Sequence, residues 1–133
     1  MALRFLGKDA NSVGGDSPTL YATGTDTFIV QGWIVTDPDL LAKVTLDADQ
    51  DVVEIPFNLF DHLAKDGLPG VVTSWLPPIV HVTDHQTCLI QGARVTDPET
   101  LTQMAIPSHE SCVEVPRDAI ADLLEEGDGA HHA

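Results

Sequence analysis

Apolar positions along the chain gather into short runs separated by turn residues. "TLYAT" at 19–23 and "TFIVQGWIV" at 27–35 are rich in β-branched and aromatic residues, and the polar turn "GTD" divides them. This pattern predicts a β-hairpin. Gly32 interrupts the second strand, which marks a bulge or a close backbone approach. "TDPDLL" then predicts the start of a short helix of about two turns. Thr36 and Asp39 have capping-box spacing; alternatively Asp37 caps and Pro38 takes the first helical position. "DVVEIP" predicts a third strand. "FNLFDHLAKDG" places Leu59, Phe60 and Leu63 on one helical face and stops at Gly67.

The same pattern recurs sixty residues later. Positions 18–65 align with 78–125 without a gap, and 14 of the 48 pairs are identical, far too many for chance. Among them are Thr27/Thr87, Gln31/Gln91, Gly32/Gly92, Asp37/Asp97, Pro38/Pro98 and Glu54/Glu114. Internal duplication fixes the unit of folding. Here the unit is β-hairpin, short helix, strand, helix, and a lone unit of this size buries too little surface to be stable. The expected fold is therefore α+β, a tandem repeat forming one pseudo-twofold domain. Its expected parts are a first unit at 1–66, a packed connector at 67–77, a second unit at 78–126 and a disordered tail at 127–133. In the connector "GLPGVVTSWLPP", Val71, Val72, Trp75 and Leu76 are too apolar for a free linker, and are expected to pack between the units.

Charge narrows the functional classes. The chain has 21 Asp and Glu against 6 Lys and Arg, a net charge of -15. Such a surface repels nucleic acid and anionic membranes and favours basic partners. No run approaches the length of a membrane span, and "MALRFLGKDANS" lacks the apolar core of a signal peptide. A cytoplasmic protein without direct nucleic-acid or membrane contact is expected. Cys88 and Cys112 lie in apolar strand patterns outside any CxxC pair, so buried free thiols are expected.

No pattern selects a catalytic residue, a metal site or a cofactor. "VGGDS" at 13–17 reads as a surface loop. His62, His81, His85, His109, His131 and His132 have no metal-binding spacing. Gln31 and Gln91, each before a mid-strand glycine, either close the strand locally or read a partner. Trp33 has Ala93 as its counterpart, and Arg94 replaces Ile34, so the second strands of the two copies present different surfaces. Glu125 and Glu126 fall near the expected end of the last helix, where the helix dipole disfavours carboxylates and a cationic partner relieves them. Candidate partner-binding residues are thus Gln31, Trp33, Gln91, Arg94, Glu125 and Glu126.

The segments "RFLG", "DSPTLY", "VQGW", "VTDP" and "VEIP" give residues 1–65 a resemblance to a group of short, uncharacterised actinobacterial proteins encoded beside helix-turn-helix regulators, in the company of BldB-like developmental proteins. The second copy keeps "IQG", "VTDP" and "VEVP" but has Ala93 and His81 where the first has Trp33 and Tyr21. The resemblance implies a non-enzymatic protein partner or antitoxin-like modulator of a helix-turn-helix transcription regulator. The rival expectation is a small-molecule-binding or enzymatic domain with a site at the pseudo-twofold seam. A third is a homo-oligomer joined through sheet edges.

Overall fold

The long strands do not pair chiefly within their own halves. The computed structural model describes residues 3–8, 18–68, 70–75, 77–83 and 86–125. Its elements, in order, are β1 (Leu3–Lys8), β2 (Thr19–Thr23), β3 (Thr27–Ile34), α1 (Pro38–Leu41), β4 (Gln50–Pro56), a 3-10 helix (Phe57–Asp66), β5 (Val71–Val72), β6 (Ile79–Val82), β7 (Thr87–Arg94), α2 (Pro98–Met104), β8 (Glu110–Pro116), α3 (Arg117–Ala121) and β9 (Leu124–Glu125). All but β5 and β9, which pair with each other, belong to one antiparallel seven-stranded sheet accompanied by short helices. The fold is of mixed α+β character.

β2 and β3 form the expected hairpin, as do β6 and β7. β4, however, pairs along its length with β7, from Gln50↔Ala93 to Pro56↔Thr87. β8 pairs along its length with β3, from Thr27↔Pro116 to Trp33↔Glu110. The ladder closes through two short contacts, Trp33↔Glu54 with Ile34↔Val53, and Ala93↔Glu114 with Arg94↔Val113. The four strands β3, β8, β7 and β4 thus form a ring.

The two mid-strand glycines allow this closure. A Cβ at Gly32 would lie 2.5 Å from the Glu54 carbonyl oxygen, and one at Gly92 would lie 2.6 Å from that of Glu114. Both distances are inside van der Waals contact, so only glycine lets the crossing strands approach this closely. Of the two expectations for these glycines, close approach is the one realised.

Inside the ring lies the main core, including Phe28, Val30, Val53, Ile55, Cys88, Ile90, Val113 and Val115. Leu59 and Leu63 from the 3-10 helix, and Ile120 and Leu123 from the α3 region, extend it. Two smaller clusters form where the short helices pack. Leu101 and Met104 of α2 gather with Ile29 and Cys112. Leu40 of α1 and the following Val44 gather with Val52 and Leu89. Each short helix therefore packs where its own half's last strand meets the other half's hairpin.

Asp37 and Asp97 are the helix caps: Asp37 Oδ1 accepts from the Asp39 amide at 2.9 Å, and Asp97 Oδ2 from the Thr100 amide at 3.2 Å. The Thr100 hydroxyl also donates to Asp97 at 2.6 Å, the main reason its carboxyl is held below the usual carboxylate range. α1 is one turn rather than two, because β-branched Val44 and Thr45 follow and the chain leaves the helix at Ala42.

Three further expectations need correction. β1 was not foreseen. α3 ends at Ala121, and Leu124–Glu125 leaves the helical path as β9 to pair with Val71–Val72. Glu125 is thus in a strand and not at a helix end; the partial burial of Leu124 and Val72 against the core favours that pairing. In the connector, Val72 packs as expected, but Val71 is 66% exposed, and Trp75 rests half-exposed on Phe57 with ring centroids 5.4 Å apart. Glu126, the tail at 127–133, the loop at 13–17, Leu76, His85, His131 and His132 lie outside the described residues. Among the described residues, no helix is long and apolar enough to cross a membrane.

Candidate functional site

The paired glutamines hold the ring together. Gln31 is buried in β3, and its Nε2 donates to Glu110 Oε1 of β8 at 2.7 Å. Glu110 Oε2 lies 3.4 Å from Nε2 of the exposed His109. In β7, the half-buried Gln91 donates from Nε2 to Gln50 Oε1 of β4 at 2.7 Å and to the Thr45 carbonyl at 3.0 Å. Two threonines make matching links: Thr27 donates to Glu114 Oε2 at 2.6 Å, and Thr87 donates to Glu54 Oε2. The Gln31–Glu110, Gln91–Gln50, Thr27–Glu114 and Thr87–Glu54 bonds each join one half's hairpin to the other half's last strand.

The remaining candidates are dispersed. Trp33 is half-buried at the end of β3, its backbone between those of Glu54 and Glu110. Arg94 is exposed at the end of β7. Its guanidinium donates to the carbonyls of Ala48 at 3.3 Å and Gln50 at 3.2 Å, and so braces the loop entering β4. Glu125 lies on β9, away from both hairpins in the pairing order. His62 and His81 are half-buried on separate elements. Cys88 and Cys112 are free and buried, and burial pushes both thiols up to about 12.

A cleft of about 500 Å³ opens beside β7. Gln91, Gly92 and Ala93 form one side, with Pro77, Pro78 and Val80 at the entry to β6. Glu114, Val115 and Pro116 of β8 and Ala119 of α3 form the other, while Thr27 and Gln50 bring in the first half of the chain. The lining is mostly apolar. Gln91, Gln50, Thr27 and Glu114 supply its polar groups, and all four are engaged in the cross-strand bonds above.

Four of the apolar cleft residues differ in one direction from the residues sixty positions earlier. Ala93, Ala119, Val80 and Val115 occupy the positions held sixty residues earlier by Trp33, Leu59, Leu20 and Ile55. All four are the smaller member of their pair. The Trp33/Ala93 difference stands out in the sequence; the other three look like ordinary apolar exchanges until the fold brings them together. Among the described residues, Gln91 is the sequence candidate that lines this cleft. No protein-family model, curated protein or solved structure matches this chain.

Proposed function

We propose that the chain is a pseudo-twofold duplicate in which one side keeps a closed, structural form and the other is opened for binding. On this reading it acts in the cytoplasm as a non-enzymatic module that binds a protein partner. Several observations support the duplication. The β3–β8 and β4–β7 registers correspond under the sixty-residue offset, as do the closing contacts, the glycine approaches and the threonine–glutamate bonds. The observation that carries the function is the run of four smaller side chains around the Ala93 cleft. Binding sites are typically concave, mostly apolar clefts with a few placed polar groups, which is the character of this one.

The charge of -15 selects a basic partner and speeds its encounter. A helix-turn-helix transcription regulator, the partner class implied by the sequence resemblance, presents such a face. Binding there would compete with DNA. The test is capture from native lysate at low and moderate salt, comparing the wild-type chain with Ala93→Trp. The wild type should retain a helix-turn-helix protein and the cleft-filled variant should lose it. Recovery of no such protein, or equal recovery by both, would overturn the proposal.

A second reading is favoured by the cleft's size and polar fringe, since about 300–1,000 Å³ is the usual range for small-molecule sites. In that case native mass spectrometry of the purified protein would find a small molecule on the wild-type chain that is lost in Ala93→Trp.

A further inference from the structure

The two hairpins differ at their outer edges. β1 lies on the outer edge of β2, with pairs from Leu3↔Thr23 to Lys8↔Thr19. The outward side of β1 is itself sealed by the 3-10 helix. Lys65 Nζ donates to the Leu6 carbonyl at 2.9 Å, and His62 Nε2 lies 2.8 Å from the Lys8 carbonyl. Gly7 makes room for the His62 ring, which a Cβ there would strike. β6 is the counterpart of β2, yet among the described residues it pairs with β7 alone and forms the other end of the sheet. Uncovered strand edges are sites where another strand adds.

The cleft lies where such a strand would place a side chain. On the closed side, Leu6 of β1 is 2% exposed and shares the main core with Leu20 and Leu59. The counterparts of Leu20 and Leu59 are Val80 and Ala119, and both line the cleft. The closed side therefore contains its own inserted apolar residue, and the open side contains the space for one.

Charge defines the rest of the occupant. β1 reads "LRFLGK", with two of the chain's six basic residues. His62 and Lys65, which meet the β1 backbone, correspond in sequence to two acidic residues, Asp122 and Glu125, the latter carried off on β9. Asp122 and the nearby Asp118 are exposed. We infer that β6 accepts an extended segment of the protein partner in the place that β1 takes on β2. That segment carries Lys or Arg, and it seats one large apolar side chain in the Ala93 cleft. This inference rests on the binding-module reading and names the form of the partner.

The test uses the full chain and a capped, fluorescently labelled peptide, LRFLGK. Fluorescence anisotropy should show saturable 1:1 binding that weakens several-fold as salt rises. Backbone NMR shifts should concentrate at Ile79–Val82 and around Ala93 and Ala119. Ala93→Trp should weaken binding at least about tenfold (about 1.4 kcal/mol). Two peptides N-methylated at alternate amides, in opposite phase, separate edge pairing from simple apolar contact: one phase should lose binding and the other keep it. Thr83 donates its amide inward to Thr87, so the Val82 amide points outward, and Val82→Pro should also weaken binding. Should that variant fail to fold, Ala93→Trp and the methylated peptides decide alone.

No binding, shifts at β1–β2 in place of β6, equal loss in both methylation phases, or peptide-independent pairing of two copies through β6 would each overturn the inference. If Val82→Pro folds and still captures the regulator from lysate as well as wild type does, strand addition fails while the module reading survives. If wild type captures no regulator, the module reading fails and takes the partner assignment with it.

Discussion

Gln31 donates to Glu110 at 2.7 Å in a buried pair, whereas sixty residues later Gln91 makes the same 2.7 Å link to a neutral Gln50. The same geometry therefore joins an ionisable acceptor on one side and an amide on the other. Gln31→Leu leaves the Glu110 carboxyl buried without this donor and should cost about 1–3 kcal/mol. Gln91→Leu should cost less, because its surroundings are half-exposed and water can replace the bond. Glu110→Gln recreates the amide-to-amide arrangement of Gln91 and Gln50 and should stay within about 1 kcal/mol of wild type. Urea unfolding of the three variants checks the order.

Gly32→Ala and Gly92→Ala should each destabilise by about 1–3 kcal/mol, because the added carbon meets backbone carbonyls that cannot step aside. The two variants should behave alike in chemical denaturation. A fully tolerated alanine at either position would show that the ring does not need the close crossing there.

Cys88 and Cys112 stay protonated in the folded chain up to about 12, while an unfolded thiol ionises near 9. Unfolding in that interval releases protons, so stability should fall as pH rises from about 9 towards 12, and should be insensitive to these groups below it. At pH 8 a thiol reagent should label the native protein no faster than it unfolds, then find two reactive groups in urea. Rapid native labelling would mean that one thiol is accessible.

Asp66 accepts from Arg117 and pairs with Arg4, so one carboxylate ties together the 3-10 helix, α3 and β1. Asp66→Ala should cost about 1–3 kcal/mol. Most of the loss should come through Arg117, since Arg4 is well exposed and its pair is screened by water. The difference between Arg4→Ala and Arg117→Ala in thermal denaturation measures that division.

The local elements were legible because their signals are local. The hairpins, the third strands, the helix starts at the two "TDP" segments and the Gly67 stop each follow from a few neighbouring residues; which residue caps those helices does not. β1 was not legible: Arg4 and Lys8 interrupt its apolar pattern, Gly7 breaks it, and it is secured by His62 and Lys65 from far along the chain. Periodicity likewise gives the unit but not its partner, so nothing in "DVVEIP" says that it pairs along its length with β7 and not with β3. The cleft was only half legible. Ala93 is an obvious contrast to Trp33, but Val80, Val115 and Ala119 gain meaning only when strands distant in sequence become neighbours.

The exchange of last strands between halves has a consequence for synthesis. When Thr27–Ile34 has left the ribosome, its long partner β8 is still tens of residues from being made, and β4 must likewise wait for β7. The first half is born with two unsatisfied edges and cannot complete itself. Pairing of this kind is non-local, which in general slows folding. A nascent chain held in that state beside another on the same message has a ready alternative, because the missing strands of one can be supplied by the other. The covalent joining of the halves keeps the correct donor always at hand, so that strand exchange between neighbouring chains competes with a partner already on the same chain.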